Sequence, residues 1–173
     1  MILRDANAVH RLITNMAEAI AERYRNEPEP LLIGIHTGGL WVASELYRLL
    51  AEPLRLSDPL GSLDISFYRD DFARIGVHPE VKPSHLPFSV DEREIILVDD
   101  VLYTGRTVRA AMNEIFDYGR PAAIRLAVLI DRNGRELPIA ADVVGEHYSP
   151  APDEHIKLIG PSPLEVRLKH AHG

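Results

Sequence analysis

The sequence predicts an α/β domain: a central parallel sheet flanked by helices. Three observations carry that expectation. Apolar runs of strand length at residues 31–35, 95–98 and 122–130 stand apart from longer segments with helical spacing. Residues 95–98, 107–118 and 122–130 read as strand, helix and strand, a βαβ unit that imposes parallel pairing. A chain of 173 residues with 46% apolar and 26% charged residues fits one domain, residues 1–173, with a core of its own.

The elements follow in order. Asp5 or Asn7 caps a first helix whose apolar positions Val9, Leu12, Ile13, Met16 and Ile20 keep helical spacing, and Pro28 and Pro30 close it. Residues 31–35 form a buried strand, Thr37-Gly38-Gly39 a tight turn, and residues 40–51 a second helix stopped by Pro53. Residues 63–68 alternate as a half-buried strand. From 69 to 93 periodicity fades among Pro79, Pro83 and Pro87, and so long an irregular stretch in a compact domain is functional or disordered. After the βαβ unit, Val143-Val144, residues 156–159 and residues 166–168 read as short strands between Pro-rich turns.

Composition excludes some functions. No cysteine is present, so disulfide scaffolds, zinc ribbons and thiolate catalysis are ruled out. The 19 Lys+Arg against 26 Asp+Glu give a net charge of −7, which opposes non-specific binding to nucleic acid or an anionic membrane, although net charge does not locate the charges. Met1-Ile2-Leu3-Arg4-Asp5 does not read as a signal peptide, and no apolar run approaches the roughly 20 residues that span a bilayer, so a cytoplasmic protein without membrane contact is expected. His36, His78, His85, His147 and His155 lack ligand spacing, and His170 and His172 lie in the tail, so no dedicated metal site is expected.

The chemistry concentrates in Ile95-Ile96-Leu97-Val98-Asp99-Asp100-Val101-Leu102-Tyr103-Thr104-Gly105-Arg106-Thr107. An apolar strand ends in two carboxylates, and a short Thr- and Gly-containing loop leads into a helix. Ligands of parallel sheets bind at the carboxyl ends of strands, and the amides of the following helix N-terminus suit a phosphate. Two acids beside a phosphate cradle repel it unless they hold sugar hydroxyls or a divalent cation. Together these features describe a sugar-phosphate site.

This segment resembles the phosphoribosyl-pyrophosphate (PRPP) motif of type I phosphoribosyltransferases. Leu63-Asp64-Ile65-Ser66-Phe67-Tyr68-Arg69-Asp70-Asp71, Leu102-Tyr103-Thr104-Gly105-Arg106-Thr107-Val108-Arg109-Ala110 and Asp131-Arg132-Asn133-Gly134-Arg135-Glu136-Leu137-Pro138-Ile139 are similar to segments of the PyrR family. That family comprises pyrimidine-operon attenuation regulators that also have uracil phosphoribosyltransferase activity. The likeness runs from about residue 8 to residue 144.

The resemblance implies a type I phosphoribosyltransferase-like fold with a small hood, from about 131 to 160 plus the N-terminal segment, and a flexible flap at about 69–93. It implies that Asp99 and Asp100 hold the ribose hydroxyls and that Tyr103, Thr104, Gly105, Arg106 and Thr107 receive the 5′-phosphate. His36, Thr37, Gly38 and Gly39 form the pyrophosphate loop, while Tyr103, Val144 and Gly145 face the base. Arg69 either reaches the pyrophosphate or pairs with Asp70 or Asp71. The reaction is then formation of UMP and diphosphate from uracil and PRPP, with Mg²⁺ carried by the substrate, in a homo-oligomer.

Tyr103 stands where purine transferases carry an acidic base, and a phenol with a pKa of about 10 is a poor base at neutral pH, which favours a pyrimidine. His36 and Gly38 replace the Lys and Arg frequent in the pyrophosphate loop. For Gly145 a β-bulge, and for Val143 and Val144 ordinary strand core, are the alternatives. Leu40, Trp41 and Tyr47 read as core or subunit contact. RNA-binding members carry basic residues where this chain has Asn15, Glu18, Gly134, Ala140 and Glu146, with Arg135 kept, so RNA binding is expected to be weak or lost. The competing reading is a nucleotide-sensing, RNA-binding regulator with little enzymatic activity.

Overall fold

The structure, a computed structural model, describes residues 1–65 and 84–171. Its described strands are β1 (Ile2–Arg4), β2 (Leu31–Ile35), β3 (Gly61–Leu63), β4 (Glu94–Leu102), β5 (Ala123–Asp131), β6 (Val143–His147), β7 (Glu154–Ile159) and β8 (Glu165–His170). Its described helices are α1 (Ala6–Tyr24), α2 (Gly38–Leu50) and α3 (Arg106–Tyr118). Five strands form a parallel sheet in the order β3-β2-β4-β5-β6, as the βαβ reading requires. A smaller antiparallel sheet has the order β1-β8-β7.

Strand alternation divides the core. Leu32, Ile96, Val98, Ala127 and Leu129 face α1, α2 and the inner face of the small sheet, whereas Ile33, Leu97, Leu126 and Val128 face Val108, Ala111 and Ile115 of α3. Burial on both faces explains why β2 and β4 read as continuous apolar runs. Gly34 lets α2 lie against β2, since a Cβ there would sit 2.8 Å from Cβ of Ala43 and Cα of Leu40. Asp5, one of the two expected caps, accepts a 2.9 Å bond from the amide of Ala8.

Several boundaries differ from expectation. β4 does not stop at Val98: its pairing with β5 continues to Leu102 opposite Asp131, so the two acids lie within the strand. β3 is shorter than the alternation of 63–68 suggests, and residues 66–68 of that segment lie outside the described residues. Strand β1 was too short to carry a readable pattern; it pairs Ile2 with Arg167. Residues 143–147, expected in the hood, are the edge strand of the main sheet, because Val143 and Val144 register with Ala127 and Val128 of β5. The separate small sheet instead draws on β1, β7 and β8.

Leu97, 0% exposed at the centre of β4, makes the core testable. Leu97→Ala lowers unfolding free energy by about 2–5 kcal/mol, read as a shift in urea midpoint. Tyr24, 3% exposed, donates a 3.2 Å bond to Oε1 of Glu94, and burial, followed by the charge of Glu94, pushes its phenol up. The folded chain therefore keeps this proton to higher pH than the unfolded chain does. Its stability contribution is intact below about pH 10 and is lost as pH rises above that value. Urea titrations on the alkaline side are expected to show a steeper loss for the wild type than for Tyr24→Phe.

Candidate active site

The site forms where β2 and β4, neighbours in the sheet, end side by side. β2 runs into His36, Thr37 and the first turn of α2, with a cis His36–Thr37 peptide and the amide of His36 bonded to the Leu63 carbonyl at 2.9 Å. Thr37-Gly38-Gly39 is thus a strand-to-helix junction, with α2 starting at Gly38. This junction rests on the acids of β4. A Cβ on Gly38 would lie 2.2 Å from Oδ2 of Asp100, and one on Gly39 would lie 2.7 Å from the Val98 carbonyl. A side chain at 38 would therefore have to displace the Asp100 carboxylate.

The two acids have different surroundings. Asp99 is 5% exposed, and its Oδ1 accepts from the amide of Asp100 at 2.8 Å. Asp100 bonds the amide of Val101 through Oδ1 at 2.8 Å, which leaves Oδ2 beside Gly38 on the cavity side. Beyond Tyr103 the chain turns through Gly105, whose φ of 95° is a left-handed conformation suited to glycine. There α3 begins, with the hydroxyl of Thr104 accepting from the Arg106 amide at 3.1 Å. The helix N-terminus beyond it offers amides to an anion.

The segment 131–139 braces this loop. The Thr104 carbonyl accepts from the amides of Glu136 at 2.9 Å and Leu137 at 3.1 Å. Arg106 pairs with Glu136 at 2.8 Å. Arg135 donates to the Tyr103 carbonyl at 2.5 Å and to Asp131 at 2.7 Å. The guanidinium of Arg132 stacks 3.9 Å over the Tyr103 ring, while a Cβ on Gly134 would lie 2.3 Å from that ring.

An open cavity of about 610 Å³ is lined by Thr37, Gly38, Trp41, Asp100, Val101, Tyr103, Arg132 and residues 155–158. Four expected site residues, Thr37, Gly38, Asp100 and Tyr103, meet there. Asp99 and Gly39 lie buried behind them, and His36 stands at the end of β2. The loop 104–107 continues from Tyr103 into α3. Arg69 lies outside the described residues.

Val144 and Gly145 are not among the lining residues. Val144 packs in the α3-side core, and Gly145 lies against β5 in unbroken register, where a Cβ would meet the Leu129 carbonyl at 2.5 Å. That packing, with no bulge, accounts for the glycine. The wall expected from them comes instead from β7 and Arg132. Alternation of His155 and Lys157 with Ile156 and Leu158 was the signal available for β7. Trp41, read as core or subunit contact, lines the cavity.

The fold and this constellation define a phosphoribosyltransferase, and residues 3–155 match the phosphoribosyl transferase domain family. The solved hypoxanthine phosphoribosyltransferase of Trypanosoma cruzi shares this fold with a TM-score of 0.70 at 22% identity, covering 98% of this chain and 96% of that one. A hypoxanthine-guanine-xanthine phosphoribosyltransferase superposes with a TM-score of 0.67 at 17% identity, covering 99% and 96%. The bifunctional protein PyrR of Nitrosococcus oceani is 61% identical over 92% of this chain and 88% of its own length. The PyrR of Pseudomonas aeruginosa strain LESB58 is 51% identical, with coverage of 95% and 93%. The chain belongs to the PyrR family of phosphoribosyltransferases.

The contact of Gly38 with Asp100 is directly testable. Gly38→Ala displaces the carboxylate and is expected to lower transferase kcat/KM by about 10²-fold. The far-ultraviolet circular dichroism and the urea midpoint should be unchanged.

Proposed function

We propose that this protein transfers the phosphoribosyl group of PRPP to uracil, releasing diphosphate and forming UMP. The observation that carries the reading is the meeting of Gly38, Asp100 and Tyr103 around one cavity, within a chain that matches the PyrR family. In this reading Asp99 and Asp100 hold the ribose hydroxyls, and Thr104, Gly105, Arg106 and Thr107 hold the 5′-phosphate. The backbone of Thr37-Gly38-Gly39, with His36 before it, receives the diphosphate, and Arg69 reaches the same group. The bond from the anomeric carbon to the diphosphate oxygen breaks, the bond to N1 of uracil forms, and the N1 proton passes to solvent.

Orientation and charge stabilisation then supply the rate enhancement, with no covalent intermediate on the protein. Tyr103 presents a ring edge and hydroxyl to the base, held in place by Arg132 and Gly134. The small sheet acts as the hood, and β7 replaces Val144 and Gly145 as the part that faces the base. The all-oxygen pair Asp99 and Asp100 suits a hard cation. In this reading Mg²⁺ arrives with PRPP. When bound, Mg²⁺ neutralises charge on the leaving diphosphate.

The relatives are named bifunctional proteins. For this chain we infer that the RNA half is weak or lost. Glu146 is paired with Arg4, Arg135 is committed to Asp131 and the Tyr103 carbonyl, and Glu18 is exposed on α1. No helix among the described residues is long and apolar enough to cross a membrane. We take the working form as a cytoplasmic homo-oligomer, for which Phe116 and Tyr118, 57% and 51% exposed, offer apolar contact.

A PRPP-dependent assay comparing uracil, orotate, hypoxanthine and guanine tests the reading, with uracil expected as the converted base. PRPP binding without conversion of any base favours the sensing regulator instead. Asp100→Asn is expected to lower uracil kcat/KM by about 10²-fold or more, and the exposed Asp117→Asn to leave it unchanged. Filter binding with a pyrimidine-operon leader RNA is expected to show no submicromolar specific affinity at moderate salt; such affinity would restore the regulatory role.

A further inference from the structure

A hydrogen-bonded relay links α3 to the loop on the opposite side of the cavity. Oε1 of Glu114, in the third turn of α3, accepts from the hydroxyl of Ser84. The same hydroxyl accepts from the amide of Asp64 at 3.1 Å. Asp64 follows Leu63, the last residue of β3, whose carbonyl accepts from the amide of His36 at 2.9 Å. Ser62 and His85 add a reciprocal pair of backbone bonds at 2.8 Å beside it. The chain of contacts therefore runs from the helix that begins at the phosphate loop, through Ser84 and the end of β3, to the start of the diphosphate loop.

Stability does not explain why this position is a glutamate. Oε2 of Glu114 is buried and has no hydrogen-bond partner among the described residues. An apolar side chain of similar size would avoid that desolvation penalty. What the glutamate supplies is an acceptor that fixes the Ser84 hydroxyl, and through it the Asp64 amide.

We propose that Glu114 is a positioning residue for the diphosphate loop, acting through Ser84 and the end of β3. The proposal rests on the reading of Thr37-Gly38-Gly39 as the loop that receives diphosphate. Gly38 packs close against Asp100, so a displacement of Leu63 carries through His36 into the spacing between that loop and the acid. The 5′-phosphate loop is braced separately by Glu136 and Leu137 and does not depend on Ser84. Loss of the relay should therefore weaken binding of ligands that carry diphosphate and spare those that carry only the 5′-phosphate.

The experiment is calorimetric titration of the full chain with Mg²⁺-diphosphate and, separately, with UMP, together with thermal unfolding and the KM for PRPP. Glu114→Leu is expected to raise the diphosphate Kd and the PRPP KM by about fivefold to tenfold. UMP affinity and kcat should hold, and Tm should be unchanged or higher. Ser84→Ala should reproduce the effect, the double variant should be no worse than either single one, and Glu114→Gln, which keeps an acceptor oxygen, should restore binding. Equal loss of UMP and diphosphate affinity, no change in either, additive losses, or failure of Glu114→Gln to rescue would each overturn the proposal. Unmutated protein that binds neither ligand overturns the phosphoribosyl reading itself, and the relay proposal falls with it.

Discussion

The site depends on one close contact: the backbone at the start of α2 lies against the paired acids of β4 with no side chain between them. A Cβ on Gly38 or Gly39 would collide with Asp100 or with the Val98 carbonyl. This closeness follows from sheet order. Because β2 and β4 are adjacent and parallel, their carboxyl ends deliver a glycine-bearing junction and a carboxylate to the same point. Gly34 then draws α2 down onto β2, which sets the height of the junction above the sheet. The contact fixes the spacing between the junction and the carboxylate, the kind of fixed spacing that a ligand bridging two groups exploits.

Around that contact, stiffness comes mostly from hydrogen bonds made by residues outside the cavity lining, with Arg132 the one brace that also lines it. The Thr104 loop is held by backbone amides of Glu136 and Leu137, and Tyr103 by Arg135 on its carbonyl and Arg132 on its ring. Most of these are bonds to main-chain groups, so they fix the path of the chain more than the choice of side chain. The cations near the cavity are divided in use. Arg135 is spent on bracing, whereas Arg132, His155 and Lys157 line the open space.

Much of this was legible in the sequence, because the fold and the acids are encoded locally. Doubly buried strands read as apolar runs, α1 announces itself by its cap and its spacing, and the acid pair is followed at once by its loop. Three things were not local. The length of β4 depends on pairing with β5 as far as Asp131, which no window around Asp99 contains. The cavity wall at residues 155–158 depends on a sheet whose first strand is three residues long and pairs with the far end of the chain. Val144 and Gly145 were placed by resemblance in a hood, yet parallel pairing with β5 takes them into the main sheet.

The small sheet also couples the cavity to the most distant contacts in the sequence. The amine of Met1 bonds the carbonyl of Leu168, 167 residues away, and Arg4 reaches Glu146 on the edge of the main sheet. Closing so long a loop carries a large entropic cost and is repaid late in folding. β7 therefore takes up its place over a main sheet that can already be assembled, and it is held there by strands with one face in water. Opening of this latch is a sub-global event, cheaper than unfolding the doubly covered sheet. In exchange measurements the amides of β1, β7 and β8 would open ahead of those in β2, β4 and β5. One side of the cavity can then breathe while the acid–glycine contact stays closed.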